Sequence, residues 1–488
     1  MIDPEPPDQL TVDEVKSRAV HGTATLGARS LITFGLGVVA NLVLARLLVP
    51  QDFGLVALGT TIIMFASFVS DSGIGAALIG RSEPPQRDEL RAVLGFQLAL
   101  TVPFVIVFAI AAAPFGREGL VPALMLTAVP LASLRLPNVL VLERQLSYAT
   151  IARAEVLEAV TGFVWAISTV AAGFGVWGLA SAAPVRVLVG SAVLIRRGPL
   201  GFVGPTWAWH LVRPILRFGV RFQASNVVGA VRDQGLNIGI ASVAGIATLG
   251  IWSFAYRIMN IPVLLYLSLW RVGYPAMSRL LAAGENVRPV IERTIGVVAV
   301  AFAPVLVGIV ASTPALLPAL VGDRWEDSTG ILIWGCAATI VNAPVSIPCE
   351  GYMFAAGQVT RVLWAAAVGA VIWLGLALTL LDPWGASAIG FGWFVMGVVE
   401  TIMLWWWVGR GAGVRIVAKL IGPLTVTVLA AAAGIAVASL ADQDWLIGLA
   451  GVAVGELLLF AGLYVFARDP LQATVRLGRR AVTRGSPA

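Results

Sequence analysis

The chain is 488 residues long; 58% of them are hydrophobic and 12% charged, with 33 Lys and Arg against 27 Asp and Glu. A soluble domain carries about 25% charged residues, so this composition excludes a soluble enzyme and describes a chain that crosses a membrane many times. The formal net charge of +6 sits in short loops between apolar runs, where it sets topology and gives no basis for nucleic-acid binding.

In chain order, residues 1–22 form a polar N-terminal tail in which Thr11 and Glu14 stand at capping-box spacing, so a short cytoplasmic helix is expected ahead of the first span. The tail lacks the basic start and small-residue cleavage site of a signal peptide. Apolar runs of spanning length follow at 23–48, 53–79, 92–114, 119–141, 154–174, 176–195 and 214–240. Seven more lie at 247–272, 290–312, 329–354, 361–381, 385–408, 417–440 and 445–466, about fourteen spans in all. Between the first two, Pro50 halts one helix and Asp52 is expected to cap the next through its side-chain oxygen.

The charges test the count, because a missed span would invert the sign pattern beyond it. One set of loops carries Arg81, Arg87 and Arg91; Arg144 and Arg153; Arg196, Arg197 and Arg213; Arg279, Arg288 and Arg293; Arg361; and Arg410, Arg415 and Lys419. Lys16 and Arg18 in the first tail and Arg468, Arg476, Arg479, Arg480 and Arg484 in the last fall on the same side. The opposite loops hold Arg117 and Arg324 with Asp323, Glu326, Asp327, Asp382, Asp442 and Asp444, so both termini are expected in the cytoplasm.

An internal repeat divides the chain. Residues 241–255, ASVAGIATLGIWSFA, align without a gap beneath 45–59, ARLLVPQDFGLVALG, matching Ala241 with Ala45 and Gly250 with Gly54. Six spans separate the copies, so the repeat is parallel. The expected fold is an all-α polytopic membrane protein with two parallel-repeat six-helix lobes around a central cavity, at 23–196 and 214–408, plus a C-terminal helix pair at 409–467. A cytoplasmic interfacial linker at 197–213, with Trp207, Trp209 and His210, joins the lobes, and a basic cytoplasmic tail occupies 468–488.

The run A-R-L-L-V-P-Q-D-F-G-L from Ala45 to Leu55, with D-S-G-I-G-A-A-L-I-G-R from Asp71 to Arg81, resembles the N-terminal signature of polysaccharide-transport proteins, the oligosaccharide flippases. V-G-D-R-W-E-D-S from Val321 to Ser328 and F-A-A-G-Q from Phe354 to Gln358 fit the same family's C-terminal half. The resemblance implies membership of the superfamily of multidrug/cation antiporters and lipid II flippases. It implies translocation of polyprenyl-pyrophosphate-linked oligosaccharide repeat units across a bacterial inner membrane, without a cofactor, amid membrane lipids. A polysaccharide polymerase and export machinery are the further partners it leaves open.

Polar residues inside the spans mark the expected substrate path. The seventh span puts Arg221, Ser225, Gly229 and Arg232 in one stripe and Asn226, Asp233 and Asn237 in a second beside it. An arginine at mid-bilayer costs roughly 3 kcal/mol on insertion scales, so Arg232 is either wet or paired, with Asp233 the nearest acid in sequence. The first span adds Thr25, Arg29 and Thr33 at i, i+4 spacing, with Asn41 deeper, and the eighth adds Tyr256, Arg257 and Asn260. Arg29, Arg221, Arg232 and Arg257 together would give a cavity a positive field that suits a pyrophosphate. The lipid II flippases, by resemblance, use a cationic cavity in this way, with arginines on the first and eighth spans. For Arg29 and Arg221 a structural ion pair is the equal alternative, and Arg232 with Asp233 fits an interhelical pair as well. Glu350 and Glu400 are the candidates for coupling to a proton or sodium ion.

His21 and His210 have no metal-ligand residue at i+3 or i+4, so no metal site is expected. The two lysines, Lys16 and Lys419, end no P-loop, which excludes ATP-driven export by this chain alone. Asp442-Gln-Asp444 resembles the D-x-D of glycosyltransferases but sits in a loop of a few residues, as a polar cap does. Cys336 and Cys349 lie thirteen residues apart on one expected helix, about 20 Å apart and beyond disulfide reach. The rival functions are a cation-coupled small-molecule exporter of the same superfamily, a membrane-embedded glycosyltransferase or polymerase, and a membrane scaffold.

Overall fold

A computed structural model describes the backbone of residues 12–81, 83–224, 227–440 and 444–484. Side chains are described outside 1–28, 31, 82, 220–222, 224–233, 264–265, 267–276, 441–443 and 477–488. The helices up to residue 243 are α1 (Val12–Leu47), α2 (Pro50–Asp71), α3 (Ile74–Ile79), α4 (Arg87–Ala112), α5 (Arg117–Leu126), α6 (Ala128–Ser133), α7 (Leu136–Arg144), α8 (Tyr148–Thr169), α9 (Val176–Arg197), α10 (Trp209–Ala224) and α11 (Val227–Val243). They continue as α12 (Gly245–Ala282), α13 (Arg288–Ser312), α14 (Leu316–Val321), α15 (Ser328–Ala355), α16 (Val359–Thr379), α17 (Leu381–Trp384), α18 (Ser387–Ala412), α19 (Ile416–Ala438), α20 (Trp445–Phe466) and α21 (Arg468–Arg484). No strand occurs among the described residues.

Every one of the expected apolar runs falls on this helical series. Among the described residues ten spans are long and apolar enough to cross a bilayer, and an eleventh is bent by 51° between Arg117–Ser133 and Leu136–Arg144. The remaining runs fall on α1, on α10 with α11, and on α12, helices that carry undescribed side chains. The chain is a multi-span, all-helical membrane protein.

The elbow between α1 and α2 differs from its expected form in one detail. Val49, not Asp52, is the N-cap of α2, with Pro50 in the first helical turn. Pro50 can start a helix because its missing N–H would be unbonded there anyway. Asp52 acts from inside the first turn: its Oδ2 accepts from the Val49 N–H at 3.4 Å, and its Oδ1 accepts from Arg117 at the start of α5. The side chain is thus turned back onto the elbow and outward to a neighbouring helix.

The chain divides into two compact units, Met1–Gly250 and Ile251–Ala488. In the first, the repeat-related glycines meet. A Cβ on Gly54 would lie 1.8 Å from the Ile246 carbonyl oxygen, and one on Gly250 would lie 1.7 Å from that of Pro50. The first turns of α2 and α12 therefore cross backbone to backbone, which glycine alone allows. The break from α2 to α3 runs through Ser72 and Gly73, at φ 43° and 72°. Asp71 accepts from the Gly73 N–H at 3.2 Å and fastens that turn. Leu200 and Gly201 are tied to the buried Asn138 side chain at 3.0 and 2.9 Å, and Thr206 donates to the Arg91 carbonyl at 3.0 Å.

The second unit is built on α13 and α15, its two most buried spans. One cluster joins Ile291, Ile295 and Ala299 to Val345, Cys349, Met353 and Leu404. Another joins Val300, Ala303 and Val307 to Val426 and Ala430 of α19 and Leu459 and Leu463 of α20. Cys336 and Cys349, both on α15, are buried free thiols. The V-G-D-R-W stretch supplies a wedge: Trp325 is 1% exposed and its ring lies 4.4 Å from that of Phe254.

Candidate functional site

α10 is amphipathic by its spacing. Val212, Ile215, Leu216 and Gly219 fall on the side turned to α3 and α4: Val212 and Ile215 are each 1% exposed, and Leu216 joins Ile215 in a cluster with Ile74, Leu78, Leu90 and Val93. Gly219 lets the helix close in, since a Cβ there would sit 2.4 Å from the Ser72 carbonyl oxygen. The other side presents His210, Arg213 and Arg217 at i, i+3 and i+7, all exposed, in a register that continues to Arg221.

That basic stripe lines a cavity of 1260 Å³, together with Trp209, Pro214 and Phe218. The space is open to one side, lined by a single helix, so its volume sets no upper limit on the size of a bound group. Arg213 and Arg217 make no ion pair among the described residues. Trp209 stacks on Trp207 with ring centroids 6.5 Å apart and leans on Phe96 at 6.1 Å, and both indoles are about half exposed or more. Guanidinium groups bind phosphate oxygens through paired N–H donors, and flat indole faces suit the C–H faces of sugars. The arrangement can hold an anionic, sugar-bearing molecule.

The sequence-derived candidates are scattered over several settings. Side chains of Arg221, Arg232 and Asp233 lie outside the described residues, as does Asn226 altogether. Arg29 is drawn to an acid: its Nη1 donates to Glu155 Oε2 at 2.6 Å, between α1 and α8, both side chains about one third exposed. Asn41 is buried at 4%. Asn237 ties α11 to α2, donating to Thr61 Oγ1 at 3.1 Å and to Gln234 Oε1 at 3.3 Å.

In the second unit, Tyr256 is 42% exposed and rests against Trp252 and Trp393, with ring centroids 5.1 and 6.3 Å away. Arg257 beside it is half-buried. Glu350 accepts from the Tyr266 hydroxyl at 3.4 Å, and Glu400 accepts from Asn342 Nδ2 at 3.2 Å. Among the described residues no group of three or more His, Cys, Asp or Glu is placed to hold a metal ion.

Sequence reasoning passed over five side chains. Arg217 was passed over although it stands four residues before Arg221, on the same stripe of the expected seventh span. Arg135 and Arg186 are single charges inside apolar runs, and a charge count taken over loops omits them; an arginine within a span is itself the signal. Arg135 donates to Glu158 at the 51° bend. Tyr266 and Asn342, the donors to Glu350 and Glu400, have no periodic signal because neutral polar residues are common in spans.

Comparison with known proteins fits this arrangement. Residues 43–330 match the family model described as polysaccharide biosynthesis protein. The chain is similar to the lipopolysaccharide biosynthesis protein WzxC of Escherichia coli (strain K12), 23% identical over 405 residues and 80% of each chain. It is 24% identical over 486 residues to the succinoglycan biosynthesis transport protein ExoT of Rhizobium meliloti (strain 1021), covering 93% of this chain and 94% of that one. Among solved structures it shares the fold of the lipid II flippase MurJ, with a TM-score of 0.65 and 11% identity over 91% of this chain and 99% of that one. A multidrug resistance MATE family transporter of the MOP superfamily gives a TM-score of 0.50 and 17% identity over 80% of this chain and 95% of that one. With the family model spanning more than half of its length, the chain belongs to the polysaccharide biosynthesis protein family.

Proposed function

We propose that the chain is a flippase that carries a polyprenyl-pyrophosphate-linked oligosaccharide repeat unit from the cytoplasmic to the external leaflet of a bacterial inner membrane. The observation that carries this reading is the α10 cavity: Arg213 and Arg217, with no ion pair among the described residues, beside exposed indoles, in a volume of 1260 Å³. The arginines take the pyrophosphate, the indoles take the sugars, and the polyprenyl tail stays in the bilayer. Alternating access, as used by transporters built from internal repeats, carries the headgroup across. The sequence-derived candidates Arg221, Arg232, Asn226, Asp233, Arg257, Tyr256 and Asn41 are further proposed substrate-binding residues. Membership of a polysaccharide biosynthesis family supports this reading, as do a relative named for succinoglycan transport and another named for lipopolysaccharide biosynthesis.

Glu350 supplies the coupling step. It meets a hydroxyl and no basic group among the described residues, so a proton or a monovalent cation can complete it. Glu400, on the facing helix α18, shares that role. No covalent step is required of the chain, which acts as a transporter rather than an enzyme.

The test is mass spectrometry of polyprenyl-linked sugars from inner membranes after depletion of the protein. Accumulation of one complete repeat unit supports flipping and names the sugar. An unchanged pool moves the reading to a cation-coupled exporter. Orientation, with both termini in the cytoplasm, is checked by cysteine labelling: Glu326→Cys reacts with an impermeant reagent from outside and Arg196→Cys does not.

A further inference from the structure

Beyond the α10 cavity, a second set of charges lies within the first unit, along α7, α8 and α9. Arg135 donates to Glu158 across the α7–α8 seam, and a Cβ on Gly190 of α9 would collide with both of them. One turn away, Gly162 of α8 leaves a flat floor for another arginine: a Cβ there would come within 3.1 Å of Arg186 Cδ. Arg186 is exposed and has no hydrogen bond or ion pair among the described residues. Among the described residues the seam at this level holds two guanidinium groups and one carboxylate, and the carboxylate is already taken.

Depth makes the surplus charge informative. Arg186 is ten residues from the first residue of α9 and eleven from the last, hence about 15 Å from either end. An arginine side chain cannot reach the headgroups from there, and a mid-bilayer arginine facing only hydrocarbon costs roughly 3 kcal/mol on insertion scales. Resting phospholipids keep their phosphates outside a hydrocarbon core about 30 Å thick. A phosphate meets Arg186 only while it is being moved.

We propose that Arg186 is a mid-membrane phosphate station on the α8–α9 face, binding the pyrophosphate of the lipid-linked substrate between leaflets; this rests on the flippase reading above. Glu158 holds Arg135 so that the acid does not capture Arg186, and Gly162 fixes the depth of the Arg186 stem.

The experiment uses the full chain in nanodiscs, with farnesyl pyrophosphate as the probe and native mass spectrometry as the readout. Arg186→Gln is expected to weaken binding about tenfold and Arg186→Lys about threefold, since a point charge replaces only part of a forked guanidinium contact. Gly162→Leu keeps the charge and displaces the stem, so reduced binding in that variant supports the station even if Arg186→Gln is lost from the membrane. Unchanged binding in folded Arg186→Gln or in Gly162→Leu overturns it. Equal competition by phosphatidylglycerol also overturns it, by showing a resting-headgroup site. In cells, Arg186→Gln at wild-type protein level should accumulate lipid-linked repeat units. If depletion of the whole protein swells that pool and Arg186→Gln does not, the station falls and the flippase reading stands. If depletion leaves the pool unchanged, both fall.

Discussion

In the first unit Glu155 and Glu158 accept from arginines, Arg29 and Arg135, whereas in the second Glu350 and Glu400 accept from the Tyr266 hydroxyl and the Asn342 amide. An arginine partner ties a carboxylate in place, because removing the acid strands a guanidinium in the membrane. A hydroxyl or an amide can bond a carboxyl group in either form. The first pair of acids therefore ties helices together, and Glu350, bonded to a hydroxyl, is the acid proposed to exchange a proton or cation.

The largest effect that tests this contrast is Glu158→Ala, which leaves Arg135 without its acid. A loss of about 3 kcal/mol is expected, read as a lower melting temperature in detergent, and adding Arg135→Ala should recover most of it. Arg29→Ala breaks a pair that is one third exposed, so about 1 kcal/mol is expected after solvent screening, measured by a double-mutant cycle with Glu155→Ala. Glu350→Gln keeps a partner for the Tyr266 hydroxyl and should shift stability by less than about 1 kcal/mol, while abolishing the dependence of transport on an imposed proton or sodium gradient in proteoliposomes. If Glu350→Gln melts as early as Glu158→Ala, the contrast is wrong. Smallest of all in stability is Arg213→Gln with Arg217→Gln: both side chains are exposed, so the melting temperature should stay constant while lipid-linked repeat units accumulate.

The order of the membrane helices could be read from the sequence because bilayer thickness imposes a length on every apolar run. The match of Gly250 to Gly54 was legible too, and the structure gives it a cause in the backbone contact of α2 with α12. Asp52 was recognised as a helix-starting residue but placed one role away, since acids are favoured both at the N-cap and in the first turn, where this one reaches back to the Val49 N–H. The pairing of Arg29 with Glu155 was less accessible: the residues are 126 positions apart, and no local period links them. Arg135 and Arg186 escaped because topology rules count charges in loops, where these are not.

The linker after α9 has a consequence for anyone altering this chain. Its length and its Gly and Pro residues mark it as the natural place for an epitope tag. Yet Leu200, Gly201 and Gly204 are all engaged by Asn138 or Arg91, and Thr206 presses on Gly95, where a Cβ would lie 2.1 Å from its carbonyl oxygen. Insertion tolerance follows free backbone rather than loop length. Among the described residues the exposed turn at 283–286, between α12 and α13, bonds only to the adjoining helix ends and to no distant element, so a reporter placed after Gly284 should leave the protein intact where one placed after Gly201 should not.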